Sequence, residues 1–196
     1  MQLLSQETLT RLDQLFTQTY RDNFGVLMAF HRDALTVPQE LQVTTEIALA
    51  YRCMNTLRSL EQDWGDLQLS HNHMSELTAI ATEAEHLRCQ LNIPEGKHIL
   101  EQLITRELWQ LLHNGNKIFK QDIQGLHRLI DVAYQLNIGI LLNKAQEIYF
   151  HSLHTQIESQ LQAIIDNGES CDQCNQIFNL GKKLGVDVTP WLKYAN

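Results

Sequence analysis

Proline and glycine are scarce in this chain, whose 196 residues include three prolines and nine glycines. A β-sandwich or barrel of many short strands needs a turn about every 8–12 residues, so these counts argue against that class. With 43% apolar residues, the composition also excludes a collagen-like or wholly disordered chain. The chain is long enough for one globular domain with a core, or for two small ones.

Basic residues are also few, with 15 Lys and Arg against 23 Asp and Glu and a formal net charge of −8. No run of five basic residues occurs. Because affinity for nucleic acid rests largely on Lys and Arg that neutralise phosphates, we expect no nucleic-acid partner.

Long apolar runs are absent too. No stretch of about 18 consecutive apolar residues predicts a membrane span. The start, Met1-Gln2-Leu3-Leu4-Ser5, lacks the basic and apolar regions of a secretion signal. The four cysteines are too few for a disulfide scaffold. We therefore expect a cytoplasmic protein without membrane contact.

Apolar residues recur at steps of three and four along most of the chain, which is typical of helices. The first helix has Gly25 as a candidate kink, and the second opens at Pro38, a residue suited to a first helical turn. Residues 65–72 are polar and lack a period, which predicts a loop. The predicted helices cover residues 5–33, 38–64, 75–92, 95–113, 122–136, 141–165 and 170–185, with a short one around Trp191.

A four-residue pattern suggests internal repeats. Gln90-Leu91-Asn92-Ile93 returns as Gln135-Leu136-Asn137-Ile138 and, more loosely, as Lys183-Leu184-Gly185-Val186, at spacings of 45 and 48 residues. Asn114-Gly115 and Asn167-Gly168 are predicted to end corresponding helices. Repeats at such a period are typical of stacked helical hairpins.

These patterns predict an all-α fold of stacked antiparallel helical hairpins, repeat-like or bundle-like, with about seven or eight helices. We expect one domain over residues 1–196, with a long hairpin over 1–64 and three hairpin-like repeats over 75–196. A lone hairpin cannot offset the ordering of its backbone by burying its own apolar face, so we expect one continuous core.

Several segments carry a family resemblance. A long helix is followed by Val37-Pro38-Gln39-Glu40-Leu41 and Glu46-Ile47-Ala48-Leu49. Farther on, Leu129-Ile130-Asp131-Val132-Ala133 leads to Ala145-Gln146-Glu147-Ile148-Tyr149-Phe150. In patches over about residues 10–155, this resembles the helical region of unknown function that follows the catalytic barrel in some family-57 glycoside hydrolases (α-amylase-like and α-mannosidase-like).

The resemblance implies a non-catalytic helical module that works beside an α-glucan enzyme. The catalytic carboxylates of those hydrolases lie in the barrel, and none of the matching segments belongs to it. No catalytic residue can therefore be assigned by this resemblance, and the tryptophans become the first residues to examine for glucan contact.

The sharpest local pattern is Cys171-Asp172-Gln173-Cys174. Its spacing suits two thiolates on one metal ion, or a redox pair at a helix N-terminus. A structural zinc site needs two further ligands, and the other cysteines, Cys53 and Cys89, are single and distant. We expect one cysteine of the pair to pack inward and the other to be incidental.

Two further metal candidates are Glu83 with His86 and Glu95 with His98, each three residues apart on a helix face as in metal-binding bundles. Glu83 and His86 lie off the apolar stripe, so we expect solvated polar faces. Two weaker clusters also favour a structural or solvated role: Glu147, His151 and His154 on the sixth helix, and His71-Asn72-His73 in the predicted loop.

No phosphate-binding glycine loop, nucleophile elbow or H-E-x-x-H motif occurs. We therefore predict neither a catalytic residue, nor a resident metal, nor a cofactor. Trp64, Trp109 and Trp191 are weak candidates for binding residues, although core or rim positions are the commoner role for tryptophan.

The leading hypothesis is a non-catalytic module that binds another protein or its own copy. The first alternative is an accessory domain beside an α-glucan glycoside hydrolase. The second alternative is a metal-dependent or redox-dependent enzyme built on a helical bundle.

Overall fold

The computed structural model describes residues 6–113, 123–157 and 172–194, and these ranges contain helices but no strand. The all-α prediction is therefore confirmed. The helices are α1 (Gln6–Arg32), α2 (Gln39–Gln62), α3 (Leu67–His86), α4 (Pro94–His113), α5 (Ile123–Gln135), α6 (Asn143–Ser152) and α7 (Asp172–Lys183). A π-helical turn, Leu153–Ile157, continues α6, and a 3-10 helix spans Thr189–Tyr194.

The chain divides into two compact units. The first unit comprises Met1–Ile99 and Val132–Gly139, and the second comprises Leu100–Asp131 and Ile140–Asn196. Helices α4 and α5 each contribute residues to both units. The single domain with one continuous core stays a prediction.

In the first unit, α2 packs against both α1 and α3. The carbonyl of Pro38 accepts hydrogen bonds from the N–H groups of Leu41 and Gln42, as expected for a proline at the start of α2. Helix α2 buries Leu49, Cys53, Leu57 and Leu60 completely, and their steps of four and three place them on one face. Helix α1 continues through Gly25 without interruption.

The predicted loop over residues 65–72 is wrong, because α3 begins at Leu67. The Asp66 carboxylate accepts hydrogen bonds from the N–H groups of Gln68 (2.9 Å) and Leu69 (3.0 Å), so it caps the helix. The polar residues at this end concealed the helical period. Ser70 and Met74 nevertheless face inward and are buried.

Four helices, α1, α3, α5 and α7, are followed by a residue with the same left-handed backbone conformation. A residue with positive φ follows α1 at Ala34 (52°), α3 at Arg88 (54°), α5 at Asn137 (50°) and α7 at Gly185 (76°). After α3, the N–H of Cys89 donates to the carbonyl of Ala84 (2.9 Å), which is the long hydrogen bond of a Schellman cap. Leu35 and Val186 make the corresponding bonds after α1 and α7.

The positions of these caps correct the predicted alignment of the internal repeats. Helix α3 ends at His86, not near Asn92 as predicted, because Arg88 already takes the left-handed conformation. The segment equivalent to 136–138 and 184–186 is therefore 87–89, and Gln90-Leu91-Asn92-Ile93 is an out-of-register copy in the connection before α4. Asn114-Gly115 and Asn167-Gly168 lie outside the described residues.

In the second unit, α7 packs closely on α6. A Cβ atom at Gly181 would lie only 2.6 Å from the ring and hydroxyl of Tyr149, so glycine permits this contact. Tyr149, which is fully buried, donates its hydroxyl proton to the carbonyl of Ile177 (2.7 Å). The buried His127 faces the same helix, with its Nε2 3.1 Å from the carbonyl oxygen of Gln176.

Candidate functional site

Helix α1 has several apolar side chains that the rest of the protein leaves exposed. Of the side chains described on α1, only Tyr20 and Leu27 are buried. We define the α1 face as Leu9, Leu12, Leu15, Phe16 and Phe24. Phe16 is half-buried, and the other four are 42%, 38%, 63% and 38% exposed, respectively. Among the apolar residues that recur at steps of three and four along α1, Tyr20 and Leu27 are therefore buried, whereas Leu9, Leu12 and Phe24 are exposed.

A groove of 610 Å³ lies beside this face, between α1, α2 and α3. Its volume falls within the range of about 300–1,000 Å³ that is typical of ligand sites. Aromatic and charged side chains share its lining, including Tyr20, Phe24, Tyr51, Arg52, Glu76 and Glu83.

A hydrogen-bonded network spans the groove. Arg52 donates from Nε to Glu76 Oε1 (2.5 Å) and from Nη1 to Glu83 Oε2 (2.7 Å). The Tyr20 hydroxyl donates to the other carboxylate oxygen of Glu83. Since these residues lie on three helices, the network ties α1 to α2 and α3.

Tyr20 and Arg52 both keep their protons at neutral pH. Burial, reinforced by the hydrogen bond to Glu83 and by its charge, raises the pKa of Tyr20, so its hydroxyl stays protonated. Burial lowers the pKa of Arg52, but the hydrogen bonds and charges of Glu76 and Glu83 raise it overall. The groove therefore presents fixed donors, fixed acceptors and aromatic rings, an arrangement suited to binding.

The structure does not bring the predicted metal pairs together. Glu83 is bonded to Tyr20 and Arg52, so the expectation of a solvated Glu83 is wrong, whereas His86 is exposed as expected. Glu95 pairs with Arg58 (2.8 Å), and His98 is exposed. Within residues 6–113, 123–157 and 172–194, no three His, Cys, Asp or Glu side chains converge as a metal site.

The cysteine pair cannot be placed in the same way. Cys171 lies outside the described residues, and Cys174 belongs to α7 without a described side chain, so the prediction for this pair stays open. The other two cysteines are free. Burial raises the pKa of Cys53 to about 12 and, with a smaller effect of the Glu46 charge, that of Cys89 to about 11. Both thiols are therefore protonated and unreactive at neutral pH.

The two weaker histidine clusters lie on helices and contact neighbouring protein side chains. His71 and His73 lie on α3 and not in a loop, and His73 Nε2 is 2.9 Å from Asp63 Oδ2. Glu147, His151 and His154 are exposed, and the His154 ring meets the Trp191 ring edge-on at 4.9 Å.

The three tryptophans have different environments. Trp191 is buried and Trp64 is half-buried, which agrees with core and rim positions. Trp109 is 52% exposed, and its ring stacks on that of His113 at 4.6 Å and 10°. Trp109 is thus the tryptophan that could present an aromatic surface to a ligand.

Sequence reasoning missed the network of Tyr20, Arg52, Glu76 and Glu83. These residues come from three helices and are up to 63 positions apart. Local spacing connects only Glu76 and Glu83, which are seven residues apart on α3, and the sequence indicated Glu83 only as a metal candidate. Only the packing of α1, α2 and α3 reveals their proximity.

Comparisons with known proteins yield no relative: no family model, no curated protein and no solved structure matches the chain. Within the described part of the chain, no helix has the length and apolarity needed to cross a membrane. The resemblance to the helical region of family-57 glycoside hydrolases stays a prediction.

Proposed function

We propose that this protein is a non-catalytic helical module that associates with a second copy of itself through the α1 face. The observation that carries the proposal is the exposure of Leu9, Leu12 and Leu15 on one helix. Clustered exposed apolar residues mark interaction surfaces more often than singly scattered ones do.

Charge allows a second copy as the occupant only where the two copies meet through a neutral surface such as α1. The chain carries a net charge of −8, so two copies repel each other across most orientations. Helix α1 is balanced, with three acidic residues and three arginines: Glu7, Asp13, Asp22, Arg11, Arg21 and Arg32. Pairing through α1 therefore brings together the apolar side chains without opposing two acidic surfaces.

The expected association is weak. From Leu9 to Phe24 the α1 face is about 22 Å long, at about 1.5 Å per residue. Stable interfaces bury about 800 Å² on each partner, which a single helix face of this length does not supply. We therefore expect a reversible, concentration-dependent dimer.

Light scattering after size-exclusion chromatography tests this proposal over a wide concentration range. The wild-type mass should rise toward that of a dimer with concentration, and Leu12→Glu should abolish the rise. Leu67→Glu is the matched control, because Leu67 is 76% exposed and belongs to α3, not to the α1 face. A monomer at every concentration contradicts self-association and leaves a different protein as the partner. Equal loss in both variants contradicts the α1 face as the interface.

The groove favours a second candidate function, in which the module binds α-glucan beside a glycoside hydrolase. Aromatic rings of Tyr51 and Phe24 would cover the apolar face of a sugar, and Arg52 and Glu76 would bond its hydroxyls. Electrophoresis in amylopectin gels should retard the wild type, Tyr51→Ala should reduce the effect, and Trp109→Ala serves as a separate probe of the exposed tryptophan. Absence of retardation removes direct glucan binding.

The metal or redox alternative now depends on Cys171 and Cys174. Elemental analysis of the purified protein, together with the stability of the double variant Cys171→Ser/Cys174→Ser, tests it. If the purified protein contains no stoichiometric metal and the double variant is as stable as the wild type, this alternative is wrong.

A further inference from the structure

A second cavity lies at the connection between α1 and α2, with a volume of 320 Å³. Its lining includes the apolar side chains of Leu27, Ala34, Leu35, Val37 and Leu87 and the polar side chains of Thr36, Gln42 and Thr45. His31 and Arg88 supply nitrogen donors, and no aspartate or glutamate lines the cavity. This cavity is separate from the groove that contains Arg52.

The absence of a carboxylate is unusual in this part of the chain. Arg52 and Arg58, which belong to the same unit, are both bonded to glutamates. Among the described residues, neither His31 nor Arg88 pairs with a carboxylate. In a chain with an excess of acidic side chains, the cavity therefore holds a positive charge with no acidic partner.

The backbone that carries Arg88 is held firmly. Its N–H donates to the carbonyl of Glu85 (3.1 Å), and the next N–H, of Cys89, donates to Ala84 (2.9 Å). The Arg88 side chain thus extends from a fixed turn at the edge of a cavity that both apolar and polar side chains line. A site that is already ordered loses less conformational entropy when it binds a ligand.

We infer that this cavity binds a small amphiphilic carboxylate, for which a medium-chain fatty acid such as octanoate is the simplest probe. The carboxylate accepts two hydrogen bonds from Arg88, whose planar guanidinium matches its geometry. The hydrocarbon chain lies against Leu27 and Val37. The volume, near the lower end of ligand sites, limits the ligand to a small molecule.

Isothermal titration calorimetry with octanoate, below its micelle-forming concentration, tests the inference on the full chain. The wild type should bind octanoate, and Arg88→Gln should weaken binding at least tenfold. Arg106→Gln should leave it unchanged, because Arg106 belongs to the second unit and pairs with Glu107. Equal binding by Arg88→Gln and wild type overturns the inference, as does no binding by the wild type.

Changing the ligand distinguishes the contribution of its carboxylate from that of its hydrocarbon chain, and it requires no protein variant. Octan-1-ol and octylamine should each bind the wild-type protein at least tenfold more weakly than octanoate, and inorganic phosphate should not displace octanoate. Equal binding of the alcohol would show that Arg88 plays no part. Displacement by phosphate would show an unselective anion site, which contradicts the inference.

Discussion

Helix α1 in the first unit and helix α7 in the second unit are held in place by different contacts. In the first unit, α1 has 27 residues but buries only Tyr20 and Leu27 among its described side chains, and a polar network fastens it. In the second unit, the 12-residue α7 buries Ile177, Phe178 and Leu180 and approaches α6 through Gly181. Helix α1 packs on α2 and is joined to α3 by the Tyr20–Glu83 hydrogen bond, but it buries few of its apolar side chains and so retains them for another contact. Helix α7, by contrast, contacts α6 so closely at Gly181 that no larger side chain fits there.

The largest expected effect comes from closing the space at Gly181. In Gly181→Ala, the new methyl would overlap the Tyr149 ring and Val188, both within 2.6 Å. Overpacking of this kind costs about 1–3 kcal/mol, so the urea midpoint should fall clearly.

Gly125→Ala is the matched control for that variant. Gly125 lies in α5, and a Cβ atom there would meet nothing within 4 Å. Since alanine favours a helix over glycine by about 0.5–1 kcal/mol, this variant should be slightly more stable than the wild type. A loss of stability as large as that of Gly181→Ala would contradict the close-packing account.

A smaller effect is expected from the polar network of the first unit. Glu83→Gln removes the charge that Arg52 and Tyr20 share, while keeping the shape of the side chain. The Glu83 side chain is 21% exposed, so we expect a loss of about 1–2 kcal/mol in the free energy of unfolding by urea titration.

Glu95→Gln sharpens this test, since Glu95 also pairs with an arginine but is 60% exposed. Exposed ion pairs contribute about 0–1 kcal/mol, so its effect should be clearly smaller. Similar losses in the two variants would show that the network does not secure α1 more strongly than a surface pair does.

The smallest effect is a pH dependence in the second unit. Burial lowers the pKa of His127 from its usual 6.5, while its hydrogen bond to Gln176 opposes this shift. As pH falls through 6.5, the unfolded chain binds a proton that the folded state resists, so the contribution of His127 to stability decreases.

Urea unfolding at a series of pH values from neutral to mildly acidic measures this contribution. His127→Gln should flatten the decline in stability toward acid, whereas His86→Gln, at an exposed position, should not. An unchanged acid slope in His127→Gln would show that His127 does not titrate as its burial implies.

Much of the helical architecture could be predicted from the sequence, because apolar periodicity is a local signal. The bounds of α1 and α2 lie close to the expected ones, and the helix predicted for α4 lacks only Pro94. The start of α3 was missed because a single cap residue, Asp66, outweighs the polar composition that follows it. Its end was misplaced because Arg88 adopts a left-handed conformation that the sequence does not favour for arginine.

The candidate site was less predictable. The apolar face of α1 is visible in the sequence, but periodicity cannot show that Tyr20 is covered while Leu12 is exposed. Coverage depends on which other helices lie against each turn. The partners of Arg52 likewise follow from packing between helices, for which the chain offers no local pattern.

Photo-crosslinking from the α1 face tests the central claim most directly. A benzoylphenylalanine in place of Leu12 should yield a product of twice the 22.7 kDa chain mass, with the crosslinked peptide derived from α1 of the second copy. The same group in place of Leu67 should give little of it. No product of doubled mass from position 12, or equal yields from the two positions, would contradict self-association through this face.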